Sequence, residues 1–324
     1  MLIWTKTLPI LEEYQMLEFF AGKAQLSTCM RASGYRTASF DILYEDGRTD
    51  SHNSNFMDIN SPSGFALCIH ALISTTEKFL ASFALKCSSW SAINQGTSRR
   101  APCASLGLAG CPSVDSANTM ASRTCLLLLL VTALGGAWLL EQPENSVLEF
   151  FPPFQTLLKM MFETCNATAA FRVKWYMQMY GGLTMKPHYA WANSASVRQL
   201  ETPAPKRKRQ DDDQPKVKTC EQYVNKDGKT CYHGNKNLRR TEEYPVRFGF
   251  KLVDMYPEMT SSPMGRAPFP NESEVPPALT SFLLMEDTAG YLEFSRIDEV
   301  FNYLRRGKHL LIPAHWREHV PKPM

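Results

Sequence analysis

Across its first two hundred residues the chain repeats one pattern: a short apolar run, a polar or glycine-bearing break, then a segment of helical period. The runs 16–20, 35–40, 79–85, 137–141, 169–176 and 188–191 read as strands, and 24–33, 64–73 and 154–163 as helices. The run 56–59 reads as the end of a further short strand. Short, mainly apolar strands that alternate with helices specify an α/β fold, a mostly parallel twisted sheet with helices on both faces.

The stretch 125–140, CLLLLLVTALGGAWLL, has no charge over its whole length. A membrane span needs about 20 apolar residues. This run is shorter, and Gly135-Gly136 divides it, so the expected structure is a buried helix, a glycine turn and a buried strand. The N-terminal sequence Met1-Leu2-Ile3-Trp4-Thr5-Lys6 has no basic region followed by an apolar stretch, which argues against a secretory signal. Nine cysteines form no tight framework, and both features favour a reducing compartment with free thiols. Cys29, Cys68, Cys125 and Cys165 read as buried structural thiols, and the sequons at Asn166 and Asn271 as chance. The expectation is a soluble monomer, nuclear or cytoplasmic, without a membrane or metal partner.

Net charge is only +3, but residues 201–256 hold thirteen Lys/Arg against nine Asp/Glu. The basic run Lys206, Arg207, Lys208 and Arg209 and the acidic run 211–213 lie among prolines, the composition of a solvated linker. The chain therefore divides into an α/β domain over 1–200, a charged linker over 201–215 and a basic segment over 216–256. That segment offers nucleic-acid contact and a helix that closes the fold. A Pro-rich linker over 257–277 and a small C-terminal element over 278–324, with a helix at 297–304, complete the division. Lys206–Arg209 also fits a nuclear-targeting or phosphate-contacting patch. Cys220, Cys231 and His233 lie close in sequence, but no C-x-x-C pair and no fourth ligand accompany them, so zinc is not expected.

Function is carried by where polar residues fall relative to strand ends. In an open parallel sheet, ligands bind beyond the carboxyl ends of the strands. Ala21-Gly22, Asp41, Asp58, Cys87 and Glu141 each follow an apolar run, so five strand ends are expected to face one crevice. Gly22, between strand and helix, lets a ligand approach the backbone. Asp41 follows it at nineteen residues, close to the roughly 20-residue offset at which an acid reaches ribose hydroxyls. Asp58 suits an adenine amino group. The full G-x-G-x-x-G is absent, which favours a nucleoside ligand over a dinucleotide.

At this point the sequence resembles a known family. Leu17-Glu18-Phe19-Phe20-Ala21-Gly22-Lys23-Ala24-Gln25-Leu26-Ser27 is similar to the first motif of S-adenosylmethionine-dependent methyltransferases, most closely the cytosine-C5 DNA methyltransferases. Asp41 and Asp58 match that group's next two acidic positions. Lys86-Cys87-Ser88-Ser89-Trp90-Ser91 resembles its nucleophile loop, and Leu140-Glu141-Gln142-Pro143 its Glu-Asn-(Val/Pro) motif. Tyr180-Gly181, Lys186-Pro187, Trp191 and Asn193 look like a segment of phage- and plant-type members. The resemblance covers residues 14 to 195.

It implies a Rossmann-like class I methyltransferase fold that binds S-adenosylmethionine through Phe20, Ala21, Gly22, Asp41 and Asp58. It further implies Cys87 as the nucleophile and Glu141 as the group that grips the target base of DNA, or of RNA. Lys86, Ser91, Arg99, Arg100 and Lys186, with Lys206 to Arg209, are the expected nucleic-acid contacts. Lys86 beside Cys87 is expected to lower the thiol pKa. His188, where the family has threonine, reads as a loop residue rather than a base. The sequence departs from the pattern at Ala24 (glycine in the family), Lys86 (proline) and Gln142 (asparagine). Two other readings stand beside the enzyme: an inactive nucleic-acid-binding protein of the same fold, and a methyltransferase for a different substrate.

Overall fold

The computed structural model describes residues 12–44, 57–164, 169–204, 217–226, 228 and 230–261. A six-stranded sheet is built from β1 (Tyr14–Phe19), β2 (Thr37–Phe40), β3 (Thr75–Phe83), β4 (Ala137–Pro143), β5 (Phe171–Tyr176) and β6 (Pro187–Ala192), in the order β2-β1-β3-β4-β6-β5. β1 pairs in parallel with both β2 and β3, and β3 with β4. β6 is antiparallel to both β4 and β5. The fold is therefore α/β with a mixed, mostly parallel sheet.

Five helices cover the two faces. α2 (Pro62–Ile73), α3 (Pro112–Ala133) and α4 (Pro152–Thr164) pack on one face, against Leu17, Phe19, Ala81, Phe83, Trp138 and Leu140. α1 (Gln25–Ala32) and α5 (Val246–Ser261) pack on the other, against Met16, Leu80, Ala137, Leu139, Val173, Trp175 and Ala190. Successive strand residues point to opposite faces. Glu18 follows Leu17 and Glu141 follows Leu140, so both carboxylates point toward α1 and α5.

Local chemistry sets the boundaries. α2 starts where Ser61 Oγ accepts the Gly64 N–H at 2.8 Å and Pro62 occupies the first turn. The leucine run is the second half of α3, and Gly135 at φ 76° turns the chain into β4. A Cβ on Gly136 would lie 2.2 Å from the Phe79 ring, so that turn can rest against β3 only as glycine. The expected helix–turn–strand is what forms, and no described helix is long and apolar enough to cross a membrane.

Two expectations are corrected. Residues 57–60 form a turn, not a strand end: Asp58 Oδ1 accepts the Asn60 N–H at 2.8 Å, and Asp58 O accepts from Ser61. Arg123 of α3 then clamps this turn through Ile59 O and Ser61 O. The linker expected from 257 begins inside a helix, because α5 continues through Pro257 to Ser261. The reason is packing: Phe248, Leu252, Met255 and Met259 are buried in the sheet core, each side chain worth about 1.5–3 kcal/mol of burial. Gly249 allows α5 to approach α1, since a Cβ there would meet Cys29 Sγ at 2.5 Å.

The basic segment also contains a two-stranded hairpin, β7 (Cys220–Val224) with β8 (Thr230–Gly234), followed by the single helical turn Lys236–Arg240. The helix expected at 297–304, the linker run Lys206–Arg209, Cys165 and both sequons lie outside the described residues.

Candidate functional site

From β1 the chain crosses to β2 on one side and, through α2, to β3 on the other. The switch in strand order falls between β1 and β3, where an open α/β sheet has its ligand crevice. Gly22 follows β1, Asp41 follows β2, Cys87 lies four residues beyond β3, and Glu141 is two residues from the end of β4. These four parallel strands end on one edge. Because β6 runs the other way, its first residues, with Lys186 and His188, arrive at that same edge. Asp58 is the exception, placed in the turn that caps α2.

The β1 turn is bent by three left-handed residues, Phe20 (φ 60°), Gly22 (φ 52°) and Ala24 (φ 51°). For the two with a side chain this conformation costs roughly 1–2 kcal/mol each. Gly22 donates its N–H to Asp41 Oδ2 at 2.8 Å, and Leu43 donates to Oδ1 at 2.9 Å. Asp41 thus ties the first two strand ends together, with lone pairs left on both oxygens. A Cβ on Gly22 would meet no atom of the described residues within 4 Å, which leaves room at this backbone for an incoming group. Beneath it, Glu18 Oε2 accepts the Ser27 N–H at 2.8 Å, while Oε1 is buried with no hydrogen-bond partner among the described residues. Burial raises the Glu18 pKa above its ordinary value.

The Cys87 loop is held against the end of β4. Gln142, fully buried, donates to Leu85 O at 2.6 Å and accepts from Ser146 Oγ at 2.9 Å. Val147 N–H reaches Trp90 O and Ala92 N–H reaches Asn145 O. Cys87 O accepts from both Trp90 and Ser91 N–H at 2.9 Å, while Ser91 Oγ caps the next turn through Ile93 N–H.

Arg100, expected as a nucleic-acid contact, is only 2% exposed. Its guanidinium lies 3.6 Å from the Trp90 ring centroid and donates to Ser89 Oγ, Ser105 O and Val114 O. Burial lowers its pKa to about 10. It is an internal brace for the Cys87 loop, which removes it from the expected contact set. Arg99 is exposed and lines an open cavity of about 480 Å³ with Ala92, Gln95 and Gly96.

Cys87 is half-buried, and burial raises its thiol pKa. The expected lowering by Lys86 is corrected: Lys86 is exposed, and the cation that favours the thiolate is Lys186. Glu141 is buried with both oxygens occupied. Oε1 is paired with His188 Nδ1, and Oε2 accepts from Tyr244 Oη at 2.7 Å. His188, Tyr244 and Lys186 together outweigh the desolvation, so the Glu141 pKa falls below its ordinary value and the group is an anion. His188 is likewise not a loop residue. It is 3% exposed on β6 and stacks on Trp175, with ring centroids 5.8 Å apart.

Sequence reasoning missed Glu18, His188 and Tyr244 as parts of this site. Glu18 stood within the quoted motif, as the polar residue of an otherwise apolar strand. Tyr244 lies 103 residues from Glu141, a separation at which no local pattern signals contact. Of the other expected residues, Asn193 joins β6 to β4 by accepting from Trp138 N–H and donating to Gly136 O. Among the described residues no group of three His, Cys, Asp or Glu side chains lies close enough to hold a metal ion. No family model and no curated protein matches this chain.

Proposed function

We propose that the protein is a class I, S-adenosylmethionine-dependent methyltransferase of the cytosine-C5 type, acting on DNA or RNA. The observation that carries this reading is the convergence of the open Gly22 turn, Asp41, Cys87 and Glu141 on one sheet edge at the β1/β3 switch. The chemistry of the donor set fits an adenosyl sulfonium. Gly22 leaves room at the backbone, Asp41 keeps lone pairs for a ribose diol, and the unpartnered Glu18 Oε1 suits a cationic group. That cofactor, when bound, supplies an electrophilic methyl group.

Cys87 would act as thiolate, adding to C6 of the pyrimidine and making C5 nucleophilic; loss of the C5 proton and then of the thiolate restores the ring after transfer. Glu141 would hold the exocyclic amine and ring nitrogen, where charge develops. Lys186 favours the thiolate. The base must leave a duplex to reach such a site, at a cost of a few kcal/mol unless it is already single-stranded. Phosphate contact is assigned to Lys86, Arg99, Lys186 and the 206–209 run, with nuclear targeting a second role for that run.

The test is covalent trapping. With S-adenosylmethionine and an oligonucleotide containing 5-fluorocytosine, the wild type should form an adduct stable to denaturation, and Cys87→Ser should form none. No adduct on single- or double-stranded substrate would overturn the cysteine mechanism. A second reading, an inactive nucleic-acid-binding protein of the same fold, is favoured by the sealed Glu141 and the raised Cys87 pKa. It requires nucleic-acid binding without adduct or cofactor affinity. Cofactor affinity without adduct would instead indicate a methyltransferase for another substrate.

A further inference from the structure

Residues 241–246, which lead from the helical turn Lys236–Arg240 into the first residue of α5, cross the carboxyl edge of the sheet as a strap with four anchors. Lys186 Nζ donates to Thr241 O at 3.1 Å, and Tyr244 Oη donates to Glu141 Oε2 at 2.7 Å. Lys23 Nζ pairs with Glu243 Oε1 at 3.9 Å, and the Cys29 thiol lies 3.7 Å from Val246 O. The first two anchors belong to the nucleophile side of the crevice. The other two belong to the Gly22 turn and α1. The strap therefore spans both halves of the site.

Its central residue is built into a ring of side chains. Tyr244 packs on Phe248 at 5.0 Å, Phe248 on Trp175 at 5.6 Å, and Trp175 on His188 at 5.8 Å. His188 and Tyr244 then meet on the two oxygens of Glu141, closing the circuit. The two partners of Glu141 differ in kind. His188 belongs to the sheet and is enclosed there, whereas Tyr244 comes from outside the sheet, on a strap whose neighbours Glu242 and Glu243 are exposed. A phenol hydroxyl on the edge of a flat ring is a neutral group that donates to a carboxylate, as an amino group on a pyrimidine can. Glu242 and Tyr244 are also electrostatic neighbours of Cys87.

We infer that Tyr244 is an internal stand-in for the ligand, and that the strap 241–246 is a latch holding Glu141 and Cys87 closed until a planar, amino-bearing group displaces it. The inference rests on reading the crevice as the ligand site. Its test uses neither cofactor nor nucleic acid, so a failed trapping experiment and a failed latch are distinct results.

The experiment is alkylation of the full-length chain by iodoacetamide, followed peptide by peptide by mass spectrometry. Cys103, which is exposed, is the internal reference, and the buried Cys68 and Cys125 report unfolding. Tyr244→Phe removes a hydrogen bond to a charged acceptor, an interaction class whose loss shifts an equilibrium about tenfold or more. It is expected to speed Cys87 alkylation about tenfold with the Cys103 rate unchanged. Should Tyr244→Phe expose Cys68 and Cys125 as well, Lys23→Glu decides. That substitution leaves Glu141 untouched and repels Glu243 at the far anchor, and is expected to raise the Cys87 rate about two- to threefold. A Cys87 rate unchanged or slowed in the folded variant overturns the latch and leaves Tyr244 as a positioning residue.

Discussion

At the β1–β2 side of the crevice, the backbone is forced into left-handed conformations at Phe20, Gly22 and Ala24, and polar capacity is left over on Glu18 and Asp41. At the β4–β6 side, Glu141 is satisfied on both oxygens, Gln142 on both ends of its amide, and Arg100 on three acceptors. One half stores strain and leaves a carboxylate oxygen free. In the other the carboxylate is bonded on both oxygens, and the far ring nitrogen of His188, Nε2, is left without a hydrogen-bond partner among the described residues. Sparsely populated backbone conformations persist where the surrounding structure over-determines them, and they cluster at ligand clamps. A buried carboxylate bonded on both oxygens is instead held rigidly, so a ligand group reaches it by replacing one of its partners. The contrast separates a pre-formed subsite from one that requires exchange.

The largest effect should come from breaking the closed half. His188→Ala leaves one oxygen of the buried Glu141 without its hydrogen-bond partner, and losses of that kind cost about 1–3 kcal/mol, more for a charged group. Urea unfolding should show it as a lower midpoint; a loss below about 1 kcal/mol would mean the pair is dispensable. Acid should act through the same group. Glu141 has a folded pKa below its unfolded one, so its stabilisation is full above the ordinary glutamate value and is lost as pH falls through the folded value. The wild type should therefore lose stability more steeply in that acid window than Glu141→Gln, measured by urea midpoints across pH. Parallel curves would contradict the assignment.

The open half should respond more weakly and in the opposite sense. Ala24→Gly relieves a left-handed alanine and should stabilise the fold by up to about 1 kcal/mol, seen as a higher melting temperature. Destabilisation would mean that Ala24 carries no strain. The smallest effect concerns Cys87. The pH midpoint of its alkylation should lie above the ordinary thiol value of about 8.5, and Lys186→Met should raise it further. A midpoint below that value would assign the thiol a different environment.

Much of this arrangement was legible in the sequence because parallel strands buried on both faces are marked by their own apolar runs. Gly22, Asp41, Cys87 and Glu141 were found as breaks after such runs, and the Gly135-Gly136 turn as a break within one. Legibility ended where non-local packing decided the outcome. Asp58 follows an apolar pair yet lies in the turn that leads to the Ser61 cap of α2, because Ser61-Pro62 starts α2 too soon for a strand to form. Arg100 reads as a surface cation, but the Trp90 ring and three acceptors bury it. Pro257 reads as a boundary, but the apolar face of α5 on the sheet carries the helix past it. His188 and Tyr244 gain meaning only from Glu141, across 47 and 103 residues of chain.

The central claim is that the β1/β3 crevice receives an adenosyl ligand at the Gly22 turn. Isothermal titration of the full-length protein with S-adenosylhomocysteine tests it most directly, with Gly22→Val as the comparison because its Cβ meets no atom of the described residues within 4 Å but its branched side chain would project into the open face and suffer at φ 52°. Saturable one-to-one binding by the wild type, weakened at least about tenfold in the folded variant, is the predicted result. A wild type that gives no heat of binding, or a variant that binds as well, would contradict the account.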